Sequence, residues 1–113
     1  MSNSVKPIGD ADFKTKVINS NKPVLVGFWA DWSIPSKVIM PSLEAVAAEC
    51  GEAEIFKLNV DDNASVPSDY QVLNLPTLLM FKKGELVNSF VGTATRAVIK
   101  NMVMQAVHSG GQA

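Results

Sequence analysis

The sequence predicts an α/β fold: a mixed central sheet of about five strands flanked by helices. Three observations carry that prediction. Nearly continuous apolar runs at residues 24–30, 55–60 and 77–81 read as strands covered on both faces. Amphipathic helical patterns alternate with the earlier strands, as parallel strands joined by right-handed crossovers require. The polar turn Lys82-Lys83-Gly84-Glu85 then joins residues 77–81 to 86–91, adding an antiparallel hairpin.

Taken in order, residues 5–8 read as a short edge strand, with Pro7 marking the edge. Asp10 can cap a helix over residues 11–19, where Phe13, Val17 and Ile18 share a face. Asn21-Lys22-Pro23 is a turn into the strand 24–30, which Gly27 interrupts as a point of close backbone approach. A long helical pattern covers 34–50, with Ile39, Leu43, Val46 and Ala47 at helical spacing. Pro41 removes a backbone donor inside it and predicts a kink, and Gly51 can end it. Residues 55–60 form a second buried strand, 65–70 a short helix or turn, and 95–108 the last helix, whose inner face carries Val98, Ile99, Met102, Val103 and Ala106.

Length and composition exclude several function classes. A chain of 113 residues fits a single domain, 1–113, with 109–113 expected to be a flexible tail. Hydrophobic residues make up 47% and charged residues 19%, a globular composition. A net charge of -1 argues against nucleic acid as partner. Residues 1–22 hold no apolar block of signal length, and the run 24–30 is too short to span a membrane. One cysteine, Cys50, cannot form an internal disulfide, and with one histidine it makes no Cys/His zinc site without carboxylates or a second chain. A reducing cytoplasm, no metal, no cofactor and a monomer are the expectations.

The informative segment is Trp29-Ala30-Asp31-Trp32-Ser33-Ile34-Pro35-Ser36-Lys37, between the end of a buried strand and the start of a helix. Sites in open α/β sheets gather there, and helix N-termini favour negative charge. On residue types alone, Ser33 or Ser36 simply caps the helix, with Pro35 in its first turn. A serine hydrolase is disfavoured: the single histidine, His108, lies near the C-terminus, and no Gly-x-Ser-x-Gly elbow surrounds either serine. Cys50 reads as a packed small hydrophobe, the alternative being an exposed thiol. Asp61 and Asp62 read as a solvated turn, and Pro76 alone as a trans-proline starting an edge strand.

Over nearly its whole length the chain resembles thioredoxin. The family signature Trp-Cys-Gly-Pro-Cys-Lys corresponds to Trp32-Ser33-Ile34-Pro35-Ser36-Lys37. Phe28-Trp29-Ala30, Pro41, Lys57-Leu58-Asn59, Leu75-Pro76-Thr77, Phe81-Lys82-Lys83-Gly84-Glu85 and Gly92 also match, in order and at matching separations. The resemblance implies a thioredoxin fold, a cis-proline at Pro76, and thiol-disulfide exchange on protein substrates. It places the attacking and resolving cysteines at Ser33 and Ser36, the buried aspartate at Gly27, and its basic companion at Lys57. It implies a substrate groove of Trp32, Ile34, Pro35, Leu75, Pro76, Val91, Gly92 and Thr93. Disulfide-bearing proteins would be partners, and thioredoxin reductase the partner of a cysteine-bearing parent.

Four departures qualify that resemblance. Both thiol positions are serine, Gly27 replaces the aspartate, Ile34 replaces glycine, and Lys57 lacks its usual acidic partner. A serine hydroxyl stays protonated near neutral pH and forms no disulfide, so neither exchange nor trapping is expected here. Substitution of a Cys-Ile-Pro-Cys site and natural loss of redox chemistry both remain open.

Overall fold

The computed structural model describes residues 4–109. Five strands form one sheet in the order β1-β3-β2-β4-β5, with β1 spanning Lys6–Ile8, β2 Val24–Trp29, β3 Glu54–Asn59, β4 Thr77–Lys82 and β5 Glu85–Val91. β1 and β2 run parallel to β3, whereas β4 is antiparallel to both β2 and β5. The mixed sheet expected from the sequence is present.

Side-chain alternation explains the apolar runs. Val24, Val26 and Phe28 of β2 face a core shared with Phe13, Val17, Phe56, Leu58, Leu79 and Phe81. Leu25 faces the opposite core, with Leu43, Val46, Ile55, Leu78, Met80, Ile99 and Val103. Both faces of β2 are therefore covered, which an alternating polar pattern would not have allowed. In the first core Phe13, Tyr70 and Phe81 meet edge to face or tilted, with ring centroids 5.3–5.7 Å apart.

The helices depart from expectation in instructive ways. The long pattern over 34–50 breaks into α1, Ile34–Val38, and α2, Met40–Glu49, with Pro41 in the first turn of the second. The missing proline donor thus produces the predicted kink as a full interruption. The helix expected over 11–19 is a five-residue π-helical turn, Lys14–Ile18, closed by Asn19 N–H donating to Lys14 O at 2.9 Å. The spacing of Phe13 and Ile18, five residues apart, suits that wider turn. Asp10 does not cap it. Its carboxylate instead accepts from Ser65 N–H at 3.0 Å and Val66 N–H at 2.9 Å, at the start of α3, Ser65–Asp69. A cap reaching across 55 residues leaves no trace in local sequence.

The last helix, α4, covers Arg96–Ser109, and Thr95 Oγ1 accepts from Val98 N–H at 3.2 Å before its first turn. Ser109 is the last residue of this helix, and positions 110–113 of the expected tail lie outside the described residues. Lys83 and Gly84 turn the β4–β5 hairpin with φ of 52° and 81°. Positive φ at both positions matches the right-handed twist of the flanking strands.

Candidate functional site

The segment from Ala30 to Ser36 leaves the C-terminal end of β2 and enters α1. Ser33 is the N-cap of α1, with extended backbone, and its Oγ accepts from Ser36 N–H at 3.3 Å. The capping role expected of one serine therefore falls to Ser33. Ser36 is fully buried. Its hydroxyl faces Ser33 O at 2.8 Å and Ala30 O at 3.1 Å as donor, and accepts from Ala30 N–H at 3.3 Å. That exchange ties the first turn of α1 back to the end of β2.

Among the described residues three polar side chains are buried: Ser33, Ser36 and Thr77. Burying a polar group is unfavourable unless it is hydrogen-bonded, so such groups concentrate where something requires them. Thr77 follows Pro76 and is the register partner of Phe28 on β2, so Pro76 lies opposite the end of β2. The Leu75–Pro76 peptide bond is cis, as the resemblance implied. Pro76 O accepts from Gly92 N–H at 2.9 Å, drawing the end of β5 to the same place. Strand register and this bond thus gather the serine turn, Pro76, Val91 and Gly92 at one end of the sheet.

The rim is apolar and open to solvent. Trp32 is 69% exposed, Ile34 74% and Val91 59%. Pro35 and Thr93 are exposed, Leu75 half-buried against the first core, and Pro76 buried. Two clefts elsewhere, one bordered by Met80, Val87 and Ala106 and the other by Lys16, Lys22 and Phe56, contain none of these residues. The gathered residues form a surface suited to a chain laid across it.

Beneath the turn, Gly27 pairs in register with Lys57 of β3. A Cβ at Gly27 would lie 3.1 Å from Leu43 Cδ1 and 3.5 Å from Leu78 Cδ2. Leu43 has taken the space that a side chain there would use. Lys57 has no salt-bridge partner among the described residues and sets its ammonium 5.7 Å from the centroid of the Trp29 ring. A cation over an indole face is attracted by the ring quadrupole, which gives Lys57 a partner in place of a carboxylate.

Sequence reasoning missed Asp61. The structure has its carboxylate accepting from Trp32 Nε1–H at 3.1 Å. No local pattern announces a bond between residues 29 apart. Cys50, read as packed, is 1% exposed, with its Sγ 3.8 Å from Met104 Sδ. Burial pushes its thiol above the ordinary value; Lys100 opposes that shift and Glu52 adds to it.

A family model described as Thioredoxin matches residues 4–105. The chain belongs to the thioredoxin family. It is 42% identical over 101 residues to the thioredoxin of Haemophilus influenzae, spanning 88% of this chain and 94% of that one. It is 41% identical over 99 residues to the thioredoxin of Streptomyces clavuligerus, spanning 88% and 92%. Its fold matches that of the thioredoxin of Malassezia sympodialis (Mala s 13) with a TM-score of 0.84 at 26% identity, covering 93% of this chain and 92% of that one. Thioredoxins are thiol-disulfide oxidoreductases, and protein disulfides and thioredoxin reductase are their partners in general. Among the described residues of this thioredoxin-family chain, no helix is long and apolar enough to cross a membrane, and no three His, Cys, Asp or Glu side chains cluster as metal ligands.

Proposed function

We propose that this chain is a protein disulfide reductase of the thioredoxin family in a redox-silent form, the result of serine replacing both thiols of a Cys-Ile-Pro-Cys site. The observation that supports it most is that the buried polar side chains among the described residues, Ser33, Ser36 and Thr77, gather around Pro76. A thiol at position 33 would sit at the start of α1 and could take the N–H of residue 36, which Ser33 Oγ now accepts. Such a donor and the helix start both favour the thiolate. The thiolate at 33 would attack a substrate disulfide sulfur, and the thiol at 36 would then displace it from the mixed disulfide, releasing the reduced substrate. With hydroxyls at both places neither step starts. What remains is docking: an extended segment laid beside Pro76 in the manner of strand addition, bordered by Trp32, Ile34, Leu75, Val91, Gly92 and Thr93. The chain acts as a single-domain monomer in a reducing cytoplasm, with no metal or cofactor.

The test restores the thiols. S33C/S36C is expected to reduce insulin with dithiothreitol as electron source, while the parent chain does nothing above background. A folded double variant with no activity would overturn the reading. It would favour a second one, a thioredoxin-like binding module that lost exchange naturally. One observation favours that alternative: Leu43 packs 3.1 Å from the place of a Cβ at Gly27, where the family's acid would stand.

A further inference from the structure

We propose that the cleft between β1 and the π-helical turn binds a small polyanion of the diphosphate class, held by Lys6 and Lys16. The cleft has a volume of about 440 Å³, and its walls carry three lysines, Lys6, Lys16 and Lys22, against one carboxylate, Glu54. It shares no residue with the serine turn, so the site stands whether or not the redox reading does.

The three cations are not equally occupied. Lys22 Nζ lies 3.5 Å from Glu54 Oε2 and donates to Gly51 O at 3.4 Å, so that pair largely offsets itself. Lys16 Nζ lies 3.4 Å from Asp12 Oδ2, but both side chains are exposed, and such an i,i+4 pair is worth little in water. Lys6 forms no ion pair among the described residues. Two ammonium groups are thus left for a ligand.

The backbone sets those two groups on separate walls. Lys6 is the register partner of Phe56 and stands on the sheet face of Ile8, two residues on, above the first core. Opposite, Phe13 and Val17 anchor the π-helical turn in that core and leave Thr15 and Lys16 exposed. The turn therefore presents a hydroxyl and an ammonium, on successive residues, to the cleft. Such turns are rare and recur at functional sites. Ser20, whose Oγ accepts from Lys22 N–H at 3.1 Å, also lines the cleft. Lysine binds phosphate as a point charge, and a hydroxyl donates to phosphate oxygens. Ammonium groups on two walls suit an anion with two charged centres. Phe56 is only 5% exposed and offers a nucleobase little ring to stack on, so recognition falls on the anion.

The experiment titrates the isotope-labelled full chain with inorganic pyrophosphate at constant ionic strength. Saturable amide shifts at Lys6, Thr15, Lys16 and Ser20 are expected, with a rise in thermal midpoint. K6A and K16A each weaken binding about three- to tenfold, and K6R and K16R keep most of it. K14A, on the same turn but outside the cleft, leaves it nearly unchanged. Adenosine diphosphate binds as tightly as pyrophosphate if the anion alone is read, and more tightly if a nucleotide is the source; adenosine does not bind. No saturation in the millimolar range, equal losses in K14A and K16A, or citrate binding as tightly as pyrophosphate overturns the proposal.

Discussion

Cys50 and the Ser33–Ser36 turn are opposite placements of nearly the same side chain. Cys50 has a sulfur and no access: it is 1% exposed, lies against Met104, and its thiol is held protonated by burial. Ser33 and Ser36 are buried as well, but they sit at a helix start beside the exposed Trp32 and Ile34, with backbone donors and acceptors arranged around them. The chemistry belongs to the place more than to the presence of a thiol. A thiol becomes a nucleophile where its anion is stabilised and a partner can reach it.

The largest test of that contrast moves one sulfur. S33C alone is expected to attack an aromatic disulfide such as 5,5′-dithiobis(2-nitrobenzoate) and keep one thionitrobenzoate as a mixed disulfide, since Ser36 cannot displace it. The parent chain, with only Cys50, should take up none in its folded state under the same treatment. Intact mass reads both results, and rapid labelling of native Cys50 would erase the contrast.

Next in size is Gly27→Asp. Its side chain must displace Leu43 and bury a carboxylate, so a loss of about 3–5 kcal/mol is expected in denaturant unfolding. Lys57, its register partner, is the cation that limits the loss, so adding K57M should deepen it. In S33C/S36C the same aspartate is expected to raise the exchange rate by supplying a proton acceptor; an unchanged rate would refute that role.

Cys50→Ser comes third. The serines at 33 and 36 have hydrogen-bond partners, whereas a hydroxyl at 50 would enter an apolar cluster, for about 1–3 kcal/mol. A shift in thermal midpoint near zero would mean that position 50 tolerates polarity as well as the turn does.

The smallest effect lies far from either place. Gly9 N–H donates to Asp12 at 2.8 Å and, with Lys16 nearby, holds its carboxyl below the ordinary 3.8. The folded chain therefore takes up that proton less readily than the unfolded chain. The contribution is present above the unfolded value and is lost as pH falls through the folded one. Asp12→Asn should lower stability slightly at pH 6 and leave it nearly unchanged at pH 2.

Much of the fold was legible because apolar runs, Pro41 and the Lys83-Gly84 turn act locally. The site's frame was legible through the family match at Trp32, Pro35 and Pro76. What escaped reading were contacts joining distant residues: Asp10 with Ser65 and Val66, Trp32 with Asp61, and Lys57 with Trp29. Each depends on strands already being in register, and a linear pattern holds no record of that. The π-helical turn escaped for a different reason, since Phe13, Val17 and Ile18 suit either helical pitch within one turn.

The position of β2 carries a last consequence. It is the middle strand, bonded to β3 on one side and β4 on the other, and both its faces are buried. Its amides should therefore exchange with solvent deuterium only when the whole molecule opens, while β1 and β5 exchange through local fraying. The proposed docking surface hangs from the tip of this strand. Its shape should outlast disorder at the sheet edges, so a partner would meet the same surface through most of the molecule's spontaneous fluctuations.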